Sequence, residues 1–245
     1  MIPRFYCPDT DLPLAAGVVL ALPEAVAHHA MKVLRLREGD ALVLFDGQGG
    51  EYPATLIDAG RHARARLLEW RDVECEAPLA VTLAQCLPSG DKMDWVVQKA
   101  VELGVAAVQP LASRRSVVRL SGERAARRVE HWAQVAVSAC EQSGRNRPPM
   151  FHDLADLPSW LARPSPVNEL RIFLSPHEGA RLADLPRPQG GLTLLVGPEG
   201  GLDEGEELAV RGAGFQAVNL GPRVLRTETA GLAALAAAMT LWGDF

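Results

Sequence analysis

Two short stretches of this 245-residue chain gather more polar and reactive side chains than a turn requires. Leu220-Gly-Pro-Arg-Val-Leu-Arg-Thr-Glu-Thr-Ala230 and Leu194-Leu-Val-Gly-Pro-Glu-Gly-Gly201 each begin where an apolar run ends in Gly-Pro, and each leads into helical patterning. Strand-to-loop-to-helix junctions of this kind are where an open α/β sheet places its ligand. Between them they carry Arg223 and Arg226, Glu199 and Glu228, and Thr227 and Thr229. An arginine can stabilise a developing negative charge, a carboxylate can accept a proton, and glycine lets a ligand approach the backbone.

A phosphate ligand fits poorly. The chain has no G-x-x-x-x-G-K-[ST], and Gly197-Pro-Glu-Gly-Gly201 does not match G-x-G-x-x-G. It also puts Glu199 where a pyrophosphate would need positive surroundings. A carboxylate there suits a ligand that is neutral or cationic nearby, such as a methylsulfonium. Taken alone, the glycine turn is as consistent with a structural turn as with a ligand loop. Thr227 and Thr229 are N-cap candidates for the last helix, with Glu228 favourable in its first turn. Capping leaves the two crowded arginines unexplained.

A third constellation, Ala139-Cys-Glu-Gln-Ser-Gly-Arg-Asn-Arg-Pro148, closes a long helix. Its arginines would complement a helix C-terminus, or with Asn146 recognise phosphate and a base edge. The six histidines are scattered and the four cysteines lack metal-ligand spacing, so no metal site and no disulfide are expected. No apolar run is long enough for a membrane span and the N-terminus lacks signal-peptide character, so a cytoplasmic protein is expected. The formal charge of −5 is uneven: residues 78–150 hold 10 basic and 6 acidic groups, while both flanking segments are acidic. A polyanion could dock on that middle segment.

Stepwise along the chain, residues 1 to about 72 read as short strands (17–22, 40–45, 51–57, 63–70) broken by turns and by one helical stretch over 24–36, the pattern of a small barrel. After the polar run ending at Pro78 the rhythm changes to alternating elements. Strands are expected at 79–85, 106–111, 171–174, 192–196 and 216–220, and helices at 92–103, 123–140, 204–211 and 229–242. Asp203 and Glu206 form a capping box. This alternation implies a largely parallel sheet with helices on both faces. The expected domains are 1–74 and 75–245.

Ile2-Pro-Arg-Phe-Tyr6, Lys32-Val-Leu-Arg-Leu36, Lys92-Met-Asp-Trp-Val-Val-Gln-Lys-Ala-Val-Glu-Leu-Gly104, the 139–147 stretch, 196–201 and 220–230 together resemble the small-subunit rRNA uridine-N3 methyltransferase family. The resemblance runs in order through nearly the whole chain. It implies a PUA-like β-barrel for RNA binding, followed by an α/β methyltransferase domain of the SPOUT type with a C-terminal trefoil knot. It also implies S-adenosylmethionine as cofactor, a homodimer that completes the site, and methylation of N3 of one uridine near the decoding site of 16S rRNA in the small ribosomal subunit.

On this resemblance the cofactor would be held by Leu174, by Val196, Gly197, Glu199, Gly200 and Gly201, and by Leu220, Gly221, Val224, Leu225, Arg226 and Thr227. Arg226 would stabilise charge on the uracil oxygens, and either Glu199 or Glu228 would accept the N3 proton. Arg4, Arg35, Lys92, Arg115, Arg145, Asn146 and Arg147 would contact RNA, mostly at phosphates. The competing classes are a non-catalytic RNA-binding or ribosome-assembly factor, and the same methyltransferase fold acting on tRNA or another base.

Overall fold

The structure is a computed structural model and describes residues 2–8, 15–60, 62–164 and 166–245. The chain divides into two compact units, one formed by residues up to Glu76 together with Cys140–Pro148, the other by Ala77–Ala139 and Pro149–Phe245.

In the first unit, strands β1 (Arg4–Tyr6), β2 (Val19–Ala21), β3 (Ala41–Phe45), β4 (Tyr52–Asp58) and β5 (Arg64–Leu67) form one sheet in the order β1-β3-β4-β5-β2. All its neighbours are antiparallel except β1 and β3. Alternation puts Leu42, Leu44, Ala54, Leu56, Ala65 and Leu67 into the core. Arg64 and Arg66 are left exposed on the opposite face of β5. The helical stretch expected over 24–36 is shorter and changes character. It starts as α1 (Glu24–His28) and widens over His29–Val33, where the Leu34 amide reaches back five residues to the His29 carbonyl. Arg35 ends it in the left-handed conformation, φ 58°.

Residues 140–148 join this unit through a buried polar network. Arg4 donates to Glu51 and to Asn146 Oδ1, Asn146 Nδ2 donates to the Val73 carbonyl at 2.6 Å, and the Tyr6 amide donates to Glu141 at 3.0 Å. Arg145 makes a two-point contact with Glu76. Asn146 has no exposed surface and Arg145 only 4 %. The expectation that Arg4, Arg145 and Asn146 contact RNA is therefore corrected. Their polar atoms are directed at carboxylates and carbonyls inside the fold, because a buried donor left without a partner is costly.

The second unit is built on a parallel sheet of β6 (Val81–Cys86), β7 (Ala107–Ala112), β8 (Met150–Phe151), β10 (Leu170–Leu174), β11 (Leu192–Val196) and β12 (Gln216–Val218), with β9 (Ala155–Asp156) also pairing β7. The order β12-β10-β11-β6-β7-β8 runs in both directions from the centre. Helices α2 (Lys92–Glu102), α3 (Gly122–Ser143), α4 (Leu157–Leu161) and α5 (Glu204–Gly212) lie between the strands in sequence, and α6 (Thr227–Trp242) follows the last of them. Side-chain alternation divides the two faces. Ala84, Cys86, Phe173 and Leu195 pack toward Leu157 and Val210 of α4 and α5, while Leu83, Gln85 and Val196 face α6. Helix α6 comes so close to β11 that a Cβ at Gly231 would sit 3.1 Å from Val196 Cγ2. The last strand ends at Val218, not Leu220, and the Asn219 side chain there accepts the Gly221 amide in place of a ladder partner. The Asp203–Glu206 capping box at the start of α5 is complete.

Asn146→Ala should lower the stability of the full chain by about 3 kcal/mol, since it leaves the Val73 carbonyl and an Arg4 donor short of partners. Urea denaturation measures this. An unchanged midpoint would return Asn146 to the surface role that the sequence suggested.

Candidate active site

The carboxyl ends of β10, β11 and β12 open into a cleft of about 410 Å³. It is lined by residues 173–177 after β10, 196–202 after β11, and 218–221 and 223–227 between β12 and α6, with Lys92, Arg115, Glu207 and Ala230 at its edges. All twelve residues expected to hold the cofactor line it. The local reasons are simple. Pro198 cannot continue the β11 ladder, the Gly201 amide closes a turn on the Pro198 carbonyl at 2.9 Å, and Gly201 sits at φ +68°, which disfavours other residues.

A chain of hydrogen bonds fixes the two main loops together. Thr227 Oγ1 donates to the Gly197 carbonyl at 2.6 Å and accepts from Gln85 Nε2 at 3.0 Å. The capping role expected of Thr227 and Thr229 is therefore corrected. The N-cap of α6 is Arg226, in extended conformation and without a side-chain cap, and the Thr227 hydroxyl is engaged elsewhere. Asn219 ties the third loop in, donating to the Ser175 carbonyl at 3.1 Å and accepting from the Gly221 amide at 2.8 Å.

The glycine turn is gripped from both sides. Glu199 Oε1 accepts from the Ser89 amide at 3.0 Å, the Ser89 hydroxyl at 2.6 Å and Lys92 Nζ at 2.9 Å. Across the turn, Arg115 donates to the Gly200 and Leu202 carbonyls at 2.8 and 3.2 Å. Burial pushes the Glu199 carboxyl up, but the hydrogen bonds from Lys92 and Ser89 outweigh it and hold the group down at about 2. Three hydrogen bonds on Oε1 make this a weakly basic carboxylate, less suited to accept a proton than one without such partners. Glu228, on the first turn of α6, lies 3.5 Å from Lys92 Nζ, and its buried Oε2 has no hydrogen bond among the described residues.

Lys92 and Arg115 thus line the cleft and hold its loops. Arg35 is exposed, and Arg147 is exposed beside Glu74 at 3.3 Å. Arg223, Val224 and Arg226 are exposed at the rim. Gln85, Ser89 and Asn219 escaped the sequence reading. Gln85 and Asn219 do leave a trace, each a polar residue at the end of an apolar strand, whereas Ser89 leaves none. Among the described residues no cluster of three or more His, Cys, Asp or Glu could hold a metal, and all four cysteines are free.

Residues 75–239 match the family model of an RNA methyltransferase domain, and residues 22–64 match that of an RNA methyltransferase PUA domain. The chain belongs to the RNA methyltransferase family. Among its relatives is the ribosomal RNA small subunit methyltransferase E of Bacillus subtilis, 32 % identical over 96 % of this chain and 94 % of that protein. The enzyme of the same name from Mycobacterium tuberculosis is 36 % identical over 94 % and 87 %. A ribosomal RNA small subunit methyltransferase E from Neisseria gonorrhoeae, crystallised with S-adenosyl methionine, superposes with a TM-score of 0.92 at 43 % identity over the whole of both chains. A Legionella pneumophila methyltransferase in complex with the same cofactor superposes at 0.94 with 33 % identity, again over both whole chains. No helix among the described residues is long and apolar enough to cross a membrane.

Because the Glu199 carboxyl is held below its ordinary value, it contributes stability that is present above pH 4.5 and lost as the pH falls toward about 2. Glu199→Gln should therefore melt at a lower temperature than the wild type at pH 7, with the gap closing below pH 4.5. Thermal melts across that range check this; a gap independent of pH would mean that the ionised carboxylate is not what holds the turn.

Proposed function

We propose that this chain methylates N3 of a uridine in 16S rRNA, using S-adenosylmethionine, on small-subunit ribosomal particles in the cytoplasm. The observation that carries this reading is the cleft itself: loops 196–202 and 218–227, tied together through Thr227, enclose a site whose walls are backbone and apolar side chains with charges at the rim. Such a lining fits the cofactor. Leu174, Val196, Leu220 and Leu225 offer apolar surface to an adenine, loop carbonyls and amides offer its edges partners, and Glu199 and Glu207 suit a cationic ligand. The cofactor would supply a methyl group on a positively charged sulfur, the C–S electron pair returning to sulfur as the bond to N3 forms.

The chain's own residues would prepare the uracil. N3 is mostly protonated at neutral pH, so its anion must be stabilised and its proton accepted. Arg226, at the rim beside the start of α6, is assigned to a uracil carbonyl oxygen. Glu228 keeps an unclaimed acceptor atom and is assigned as the proton acceptor in place of Glu199. Exposed Arg35 and Arg147 are the remaining candidates for phosphate contacts in the first unit, supported by the match of residues 22–64 to an RNA methyltransferase PUA domain. An extended RNA can engage such contacts and the cleft at once, whereas a mononucleotide cannot. The target must be unpaired when methylated, because N3 lies on the pairing edge.

The same reading includes a trefoil knot around the cofactor loops and a homodimer. Helix α6 supports the dimer. Ala234, Leu235, Ala238, Met239 and Trp242 are buried within the unit, while Leu232, Ala233, Ala236 and Ala237 are half-buried and Leu241 is exposed. That second apolar face continues into an open groove with Leu182 and Pro222.

Nucleotide mapping of rRNA from cells lacking the protein should show one N3-methyluridine missing from the small subunit. Loss of no mark would overturn the reading. Arg226→Ala should bind S-adenosylmethionine within a few-fold of wild type yet lose roughly a hundredfold in turnover, the scale of losing one charge-stabilising donor. Abolished cofactor binding would make Arg226 a loop-holding residue instead. Light scattering at micromolar concentration should give the dimer mass; a monomer would remove that part of the reading.

A further inference from the structure

Uracil N3 lies between two carbonyl groups. When the N3–H bond breaks and the proton leaves, the electron pair spreads over N3 and onto both O2 and O4. A site that favours this anion therefore gains from a cation at each oxygen, and the reading above places one, Arg226. We propose that Lys92 is the second, a catalytic ammonium that donates a hydrogen bond to the other carbonyl oxygen of the target uracil. The proposal rests on the uridine-N3 reading.

Lys92 stands at the start of α2 with its side chain on the cleft. An ammonium has three N–H donors. One donates to Glu199 Oε1, 2.9 Å away, and a second faces the charge of Glu228 Oε2 at 3.5 Å without forming a hydrogen bond to it. Among the described residues the third has no partner. One carboxylate comes from the glycine turn and the other from the first turn of α6, so Nζ is held from two directions rather than swinging on a flexible stem. Glu228 is two residues past Arg226, which ties Lys92 to the same turn that carries the other cation. About a third of the side chain remains exposed, at 32 %, so an incoming base can reach it.

Electrostatics fit a donor and not a base. The hydrogen bond to Glu199 raises the affinity of Lys92 for its proton, and the charge of Glu228 adds to this. The ammonium therefore stays charged throughout the physiological range. The other charged groups lining the cleft are Arg115, Glu199, Glu207, Arg223 and Arg226, and His177 is the imidazole on it. Arg115 has NH1 directed at the glycine-turn carbonyls. A donor already oriented by two carboxylates needs no reorganisation when charge develops on the uracil oxygen, which is where fixed dipoles and charges contribute most.

The test compares wild type, Lys92→Met and Lys92→Arg by S-adenosylmethionine affinity and by single-turnover methylation of small-subunit particles from cells lacking the enzyme. Both are measured from about pH 6.5 to about pH 9, the upper end chosen to bring N3 toward its own ionisation. Lys92→Met should bind the cofactor within about threefold of wild type, showing that the cleft is intact, yet react about a hundredfold more slowly at neutral pH. Its rate should climb roughly tenfold per pH unit and close on the wild type, because alkali ionises N3 without help. Lys92→Arg should recover much of the rate at neutral pH. A deficit that stays constant with pH, or a loss of cofactor affinity in proportion to rate, would overturn the proposal and leave Lys92 a clamp between loops. Wild-type protein that binds the cofactor but methylates no uridine at N3 at any pH would instead overturn the uridine reading itself.

Discussion

Thr227 has one hydroxyl proton, and at 2.6 Å it goes to the Gly197 carbonyl. Oγ1 must then be the acceptor for Gln85 Nε2, and the direction of the chain Gln85 to Thr227 to Gly197 is fixed. Everything else in the cleft depends on that link. The loops 196–202 and 218–227 come from different strands and lack ladder bonds of their own, so each is free to drift unless side chains bind it. Gln85 is buried at the end of β6, the strand beside β11, and α6 runs close over it because Gly231 has no side chain. A rigid sheet edge, a buried amide and one hydroxyl therefore set the distance between two loops that must close on the same ligand.

The second constraint is electrostatic. The glycine turn carries Glu199, whose charge is held by donors from outside the turn. Ser89 and Lys92 do this from the end of β6 and the start of α2. From the end of β7, the Arg114 amide donates to Glu206 at 2.7 Å, and its guanidinium reaches Asp203 at 3.1 Å. The capping box of α5 is thus part of the support of the turn, not only a helix stop. Loss of any one anchor leaves others, but loss of the Glu199 charge weakens three hydrogen bonds together.

The sequence makes the skeleton of this arrangement legible because strand ends and helix starts have local causes. Gly197-Pro198 stops β11 through a missing amide, and Asp203 and Glu206 announce α5. The apolar alternation of Leu192–Val196 gives a buried strand. Side-chain destinations are not local and were read less well. Asn146 between two arginines looks like a surface recognition motif, but it is enclosed by Arg4 and Val73, residues 142 and 73 positions away. Thr227 looks like a helix cap because serine and threonine so often are, and only the nearness of Gly197 and Gln85 assigns its hydroxyl otherwise. The π-type widening over His29–Val33 has no composition signal at all.

Charge counting fails for the same reason, with a consequence for how RNA can be held. Residues 78–150 have a formal excess of basic groups, yet Lys92, Lys99, Arg114, Arg127, Arg128, Arg145 and Arg147 each lie within ion-pair distance of a carboxylate. Arg115 and Arg119 are directed at backbone carbonyls. A paired cation still acts on a phosphate, but its field at a distance is largely cancelled by its partner, and salt reduces what is left. Among the described residues Arg124 of that segment is exposed and has no ion pair, and the same holds for Arg35, Arg223 and Arg226, the last two at the rim of the cleft. The formal charge of the segment is therefore a poor measure of its attraction for an anionic chain. An overall charge of −5 thus does not bar an anionic chain from local sites such as the two unpaired arginines at the cleft rim.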